Sequence, residues 1–100
     1  MKTSDIFKAL SDENRLNILR KIAETEICAC QLTELFNLSQ PTISHHLKVL
    51  ITAGLINVDR RGKWCYYTVN WEKIRVVKQL FNEILNSEKR DSIFTNTNCN

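Results

Sequence analysis

The 100-residue sequence has few of the residues that make turns, with two glycines and one proline. Connections must therefore be short and elements long, which favours helices. Apolar runs are also short, at most four residues at 27–30 and 64–67, whereas a membrane-spanning helix needs about 20. The N-terminal residues lack the apolar stretch of a secretory signal. We therefore predict one cytoplasmic domain that has no membrane partner.

Acidic residues are absent between positions 35 and 58, and Arg60, Arg61 and Lys63 follow shortly after. The formal net charge is only +3, and net charge alone would favour a merely basic surface. An acid-free segment, however, lets a polyanion approach without like-charge repulsion. The distribution of charge therefore points to nucleic acid as a partner.

The four cysteines stand at positions 28, 30, 65 and 99. Their number is even, but their spacing does not suggest the disulfide framework of a small secreted protein, and a cytosolic chain keeps its thiols reduced. Metal binding and redox sensing are the functional alternatives.

Helical periodicity organises the first half of the chain. Ser11 is a candidate N-cap for a helix, and the segment 29–36 predicts a short helix followed by a tight turn. Ser39 is a good N-cap for the next helix, with Pro41 in its first turn. Gly54 is well placed to end that helix. Its apolar stripe comprises Ile43, Leu47, Leu50 and Ile51.

The period then changes from helix to strand. Residues 56–60 and 64–69 are rich in β-branched and aromatic residues and predict a hairpin with a basic tip. Asn70 is a candidate cap for a last helix, whose apolar stripe is broad enough to favour a dimer interface over packing on its own core alone. From about Ser87 the composition turns polar, which predicts a domain over 1–87 and a flexible tail over 88–100.

This order of elements is that of a winged helix-turn-helix: mainly α, with a β-hairpin wing. The helix after Ser39 is the candidate for the DNA major groove. On it, Gln40, Thr42 and His45 are expected to contact base edges. The residues expected to contact phosphates are Ser39, Ser44, His46 and Lys48. The alternative is a solvated polar face, but this face lacks carboxylates and carries two histidines and a lysine.

Three segments, at 9–16 (ALSDENRL), 39–47 (SQPTISHHL) and 53–56 (AGLI), resemble the ArsR family of bacterial metal-sensing repressors. The resemblance extends from about Ile6 to Leu85. It implies a homodimeric winged-helix repressor that binds palindromic double-stranded operator DNA and leaves it when a metal or metalloid binds. It implies that the basic tip contacts phosphates or the minor groove through Arg60, Arg61 and Lys63. It also implies a dimer interface between the first and last helices: Ile6, Leu10, Ile74, Val77, Phe81 and Ile84.

The block EICACQL at 26–32 resembles the arsenite-sensing block of the family, and soft thiolates suit thiophilic ions. The resemblance implies that trivalent arsenic or antimony binds Cys28 and Cys30. Residues i and i+2 do not share a face in an ideal helix, so one ion requires an irregular backbone there, and binding is expected to distort the helix start. The alternative is a pair of buried structural cysteines.

The third sulfur ligand of the family pattern is missing from this sequence. The family pattern has a further cysteine three residues after Cys30, where this chain has Thr33. Cys99 is either an idle thiol or a mobile third ligand, and Cys65, between aromatic residues, favours packing. The last helix contains no histidine, which argues against the zinc site of other family members.

These observations predict a transcriptional repressor released by trivalent arsenic or antimony, with no organic cofactor. A repressor of the same fold that responds to thiol oxidation is the alternative. An enzyme is not expected, because the paired cysteines and the two histidines lie on different helices and no carboxylate between 35 and 58 can orient an imidazole.

Overall fold

The computed structural model describes residues 2–93. In this part of the chain the elements are α1 (Thr3–Ala9), α2 (Glu13–Glu24), β1 (Ile27–Cys28), α3 (Ala29–Phe36), α4 (Gln40–Thr52), β2 (Ile56–Arg61), β3 (Trp64–Val69) and α5 (Trp71–Ile93). The predicted mainly helical architecture with a β-hairpin is confirmed. Within residues 2–93, no helix is long and apolar enough to cross a membrane.

Local capping chemistry explains where the helices begin. Ser39 is the N-cap of α4, and its Oγ accepts a hydrogen bond from the Thr42 backbone N–H at 3.3 Å. The prediction that Ser11 caps α2 is wrong: the cap is Asp12, whose Oδ1 accepts from the Arg15 N–H at 3.1 Å. Ser11 instead donates to the Lys8 carbonyl and closes the end of α1.

Left-handed backbone positions mark the sharp turns. The α3–α4 turn passes through Asn37, which has φ 51°, a conformation that asparagine tolerates better than most side chains. Gly54 has φ 76° and follows α4, as predicted. Gly62 has φ 62° in the hairpin turn, which is shorter than the predicted tip because Arg61 already belongs to β2 and pairs with Trp64.

The sheet has three antiparallel strands in the order β1-β3-β2. β2 and β3 form the predicted hairpin. The sequence did not predict β1. Its two residues pair with the edge of β3 that lies opposite β2, Ile27 with Tyr67 and Cys28 with Tyr66. The cysteine segment is therefore joined directly to the hairpin.

One hydrophobic core unites α2, α3, α4 and the base of the hairpin. Its most deeply buried side chains are Ile18, Leu32, Ile43, Leu47, Leu50 and Leu55. α5 packs on this core through Ile74 and Val77 and leaves it further along. The helix continues to Ile93, past the predicted boundary at residue 87, and the division into domain and tail stays a prediction.

Candidate nucleic-acid interface and cysteine site

α4 presents a polar face without carboxylates to solvent. Burial of Ile43, Leu47 and Leu50 fixes the rotation of the helix on the core. The exposed side chains on the other side include five predicted DNA contacts: Gln40, Thr42, Ser44, His45 and Lys48. Their side chains offer amide, hydroxyl, imidazole and ammonium groups, which suit base edges and phosphates. Ser39 is also exposed, but its hydroxyl is shared with the Thr42 hydroxyl at 2.8 Å.

His46 is the exception on this helix. It is only 7% exposed, and its Nδ1 lies 3.3 Å from Nη1 of Arg15. Arg15 in turn donates from Nε to the Ala9 carbonyl at 2.7 Å. The prediction that His46 contacts phosphate is therefore wrong: its side chain joins α4 to the α1–α2 corner. Burial holds the pKa of His46 below its ordinary value.

The polar face of α4 borders a groove of about 570 Å³ beside α1. Lys8, Arg15, His45 and Lys48 contribute its basic side chains, and Asp5 contributes an acidic one. Lys8 could not be predicted from the sequence, because α1 carries both charge signs and nothing in its pattern shows which side chains face α4. The groove places cationic side chains from α1 and α4 along one surface.

The hairpin tip carries its basic residues in two different environments. Arg60 and Lys63 are exposed, with Lys63 Nζ 5.8 Å from the Trp64 ring centroid. Arg61 is ion-paired with Glu26 and Asp59, and hydrogen bonds to these carboxylates raise its pKa further. The resemblance implies that all three contact phosphates or the minor groove, and that assignment stays a prediction. Arg61 is the one whose guanidinium is already held by carboxylates of its own chain, whereas Arg60 donates to Sγ of Cys65 at 3.5 Å.

The structure brings Cys28 and Cys30 together as a disulfide, with Cα atoms 5.5 Å apart. Cys28 is the N-cap of α3 in an extended conformation (φ −94°, ψ 162°), so it precedes the helix rather than sharing it with Cys30. The backbone irregularity that two converging sulfurs need is thus already present. The expected distortion of the helix start is not required for the sulfurs to meet.

Burial differs between the two sulfur-bearing residues. Cys28 is 7% exposed, whereas Cys30 is exposed. Once the disulfide is reduced, a reagent can therefore reach the Cys30 thiol from solvent, while the Cys28 thiol is buried. Two soft sulfur donors at one point fit a thiophilic ion, and Cys28 and Cys30 are the residues that would hold it.

The other predicted sulfur positions contribute less. Cys65 is half-buried on β3, and because Cys28 pairs with Tyr66, strand alternation turns the Cys65 side chain to the opposite face. Thr33, in place of a third cysteine, donates to the Ala29 carbonyl at 2.9 Å. Cys99 lies outside the described residues. Within residues 2–93, no group of three His, Cys, Asp or Glu is arranged to hold a metal ion.

The predicted dimer surface divides into buried and exposed parts. Ile6 is 3% exposed and belongs to the core of its own chain, so its assignment to the interface is wrong. Its neighbour Phe7, 38% exposed, instead meets Phe81 edge-to-face at 6.0 Å between centroids. Phe81 and Ile84 are 49% and 57% exposed, so the outer part of α5 offers an apolar face. Helical phase in a seven-residue helix could not separate Ile6 from Phe7.

Comparison with known proteins places this geometry in a family. A sequence profile described as "Bacterial regulatory protein, arsR family" matches residues 12–58. The arsenical resistance operon repressor of Bacillus subtilis (strain 168) is 42% identical over 69 residues, which cover 68% of this chain and 66% of that protein. The arsenical resistance operon repressor of Staphylococcus xylosus is 40% identical over 86 residues, covering 86% of this chain and 83% of that protein.

Solved structures share the fold. An ArsR-like transcriptional regulator from Rhodococcus sp. RHA1 superposes with a TM-score of 0.82 at 23% identity, over 94% of this chain and 89% of that one. The homodimeric winged helix-turn-helix DNA-binding domain of a possible ArsR-family transcriptional regulator from Mycobacterium bovis gives 0.69 at 25% identity, over 84% and 78%.

The winged helix-turn-helix assignment is thereby confirmed. The relatives are regulators of transcription, so the prediction that this chain is not an enzyme is confirmed as well. This chain belongs to the ArsR family of bacterial regulatory proteins.

Proposed function

We propose that the protein is a cytoplasmic transcriptional repressor that binds operator DNA as a homodimer and is released when trivalent arsenic or antimony binds Cys28 and Cys30. One observation carries the proposal: the two sulfurs meet at the start of α3, the helix that leads directly into the acid-free helix α4. Repressors of arsenical resistance operons among the relatives support the same inducer class.

α4 enters the major groove in this proposal. Gln40, Thr42 and His45 contact base edges, because they are exposed on the N-terminal half of the helix. Phosphates are contacted from the flanks of the helix by Ser39, Ser44 and Lys48, and from the hairpin by Arg60 and Lys63.

Two copies associate through α1 and the outer part of α5. The exposed apolar residues there, with Phe7 against Phe81, offer a surface that a second copy can cover. A two-fold dimer presents its two α4 helices to half-sites one helical turn or a multiple apart, which is why the operator is expected to be palindromic. The Mycobacterium bovis domain with the same fold is homodimeric.

The inducer chemistry is a ligand exchange. Each thiol gives its proton to a hydroxide on trivalent arsenic, a sulfur–arsenic bond forms, and one water leaves, so two cysteines replace two hydroxides. Antimony reacts in the same way as a thiophilic element. Cys99 is proposed as a third ligand for inorganic arsenite. Cys99→Ser should then weaken the response to arsenite more than the response to a singly methylated arsenic, which has two exchangeable positions.

Release follows from the packing of α3 on α4. Leu32 of α3 and Leu47 of α4 are both buried in the shared core. In this proposal the two free thiols lie further apart than the joined sulfurs, so closing them on one ion moves the first turn of α3 against α4. Protein interiors are close-packed, and small displacements at one helix are passed to its neighbours. Sulfur coordination at Cys28 therefore displaces α4, the proposed DNA-binding helix, through the packed contacts between α3 and α4.

The test is operator release. A duplex is first selected by the wild-type protein from a random-sequence pool, and fluorescence anisotropy then measures binding with and without sodium arsenite in a phosphine reductant. We expect release of the wild type, and retained DNA binding without release for Cys28→Ser and Cys30→Ser. Cys65→Ser is the matched control and should respond like the wild type. Equal release of Cys28→Ser and wild type would refute the site.

A second candidate function, a repressor controlled by thiol oxidation, is favoured by the disulfide between Cys28 and Cys30. Hydrogen peroxide would take two electrons from the two thiols, giving the disulfide and two waters. The same assay separates the candidates, because hydrogen peroxide without arsenic should release a redox repressor, and arsenite under full reduction should not.

A further inference from the structure

The guanidinium of Arg61 on the hairpin is held by carboxylates of its own chain. Nη1 and Nη2 donate to the two carboxylate oxygens of Glu26, the first at 3.1 Å, and Nε donates to Asp59 at 2.9 Å. The group also lies 4.7 Å from the ring centroid of Tyr66. The two carboxylates and one guanidinium have a formal charge of −1. All three basic side chains of the hairpin, Arg60, Arg61 and Lys63, are exposed.

Glu26 lies two residues before Cys28. Cys28 pairs with Tyr66, and Tyr66 pairs with Asp59 on its other side, so these three residues form one row across the sheet. Paired residues in antiparallel strands point to the same face. We call the two carboxylates of Glu26 and Asp59 around Arg61 the clamp. The sulfur site and the clamp therefore share one face of one small sheet, and Glu26 is the residue that connects them.

From this geometry we propose that Glu26 is a positioning residue that decides whether Arg61 faces its own carboxylates or a DNA phosphate, and that it couples the Cys28–Cys30 segment to the hairpin. The proposal rests on the proposed DNA-binding and inducer functions. It adds a second route of release, through the wing, to the route through α4.

The structure shows the arrangement with the two sulfurs joined. In it, both Nη atoms of Arg61 are occupied by Glu26, and a bidentate contact to phosphate would need the same donors. When the sulfurs are free, β1 keeps its two residue pairs with β3 and the buried Ile27 side chain, but it is no longer tied to α3 through Cys30. Its movement carries Glu26 away, and Arg61 becomes available to DNA. When both sulfurs bind one ion, Glu26 returns to Arg61, and Arg61 no longer contacts the DNA phosphate.

The expected change in DNA affinity follows from the solvent exposure of the Arg61–Glu26 ion pair. The side chains of Arg61 and Glu26 are 51% and 36% exposed, and ion pairs in such positions change an equilibrium by about fivefold at most. A freed Arg61 that contacts one phosphate should also steepen the slope of log Kd against log salt by about 0.9.

The experiment uses the selected duplex and compares Glu26→Gln with Glu24→Gln. Glu24 undergoes the same change in charge two residues away, where it pairs with Lys21 at 3.3 Å. In the presence of sodium arsenite, Glu26→Gln should bind DNA about three- to fivefold more tightly than the wild type, with the steeper salt slope. Glu24→Gln should follow the wild type in both affinity and slope.

An Arg61→Gln background separates positioning from a general charge effect. If Glu26 acts through Arg61, adding Glu26→Gln to Arg61→Gln should leave the arsenite-bound affinity unchanged. The proposal is overturned if Glu24→Gln matches Glu26→Gln, or if the effect persists without Arg61. A wild type that binds DNA but ignores arsenite refutes the proposed inducer and this proposal with it. A normal wild-type response together with an unaltered Glu26→Gln response refutes this proposal alone.

Discussion

Replacement of Phe81 by glutamate tests whether the outer part of α5 is the dimer interface. A phenylalanine side chain buries about 150–250 Å² when fully covered, and Phe81 is 49% exposed. About 100 Å² per copy therefore remains to be covered by a partner. A two-fold interface counts this area twice, which at about 25 cal/mol per Å² corresponds to about 5 kcal/mol of association free energy.

Phe81→Glu removes this burial and adds a charge that a dimer would have to desolvate. The dimer dissociation constant should rise at least about a thousandfold. Sedimentation velocity at micromolar concentration measures the oligomeric state, and anisotropy on a two-half-site duplex measures the resulting loss of DNA affinity. Far-ultraviolet circular dichroism confirms that the variant is folded.

Gln79→Glu provides the matched control, because it adds the same charge to an exposed position on another side of α5. It should remain dimeric. The reasoning is refuted if Phe81→Glu dimerises with the wild-type constant, or if the wild type is a monomer at micromolar concentration.

Three further predictions concern DNA recognition, pH and the end of α4. His45→Ala should weaken DNA binding in a base-dependent manner, whereas Lys48→Ala should weaken all sequences alike and lower the salt slope by about one; unchanged binding of His45→Ala to selected and random duplexes would contradict the α4 assignment. Since burial lowers the pKa of His46 from 6.5, the unfolded chain takes up the proton first as pH falls. The free energy of unfolding should therefore decline below about pH 6.5 until the lowered pKa is passed. Urea denaturation should show this decline of the free energy of unfolding with falling pH in the wild type and not in His46→Gln. An equal decline in both would contradict its attribution to His46. Gly54→Ala should lower the free energy of unfolding by about 1–2 kcal/mol, because φ is 76° and the new Cβ would lie 3.1 Å from Cε of Lys73. Thermal denaturation measures the change, and an unchanged melting temperature would contradict this prediction.

Features set by local chemistry could be predicted from the sequence. Ser39 and Asn70 cap α4 and α5 because a short polar side chain satisfies free N–H groups within three residues. Gly54 ends α4 because its backbone needs a positive φ. These choices depend on neighbours in the chain, and neighbours are what a sequence shows.

Features set by distant partners could not be predicted. β1 exists because Ile27 and Cys28 pair with residues near position 66, and two residues have no periodicity of their own. His46 looks like a surface residue until Arg15 is placed against it. The ion pair of Arg61 likewise depends on Glu26, which lies 35 positions earlier in the chain. For the candidate site, the sequence therefore identified the cysteines and the polar helix, but not the contacts that connect them to the hairpin.

The two-residue strand β1 also has a consequence for folding order and hydrogen exchange. Its pairing closes a loop of about 40 residues, so the entropy of closure is lost for two residue pairs and the burial of Ile27 and Cys28. Such a segment docks after the hairpin it needs and opens at a free energy well below that of global unfolding. The amides of Ile27 and Cys28 should thus exchange with solvent through local openings while Ile18 and Leu50 stay protected. When β1 undocks alone, the buried Cys28 becomes exposed to solvent while the rest of the fold remains intact.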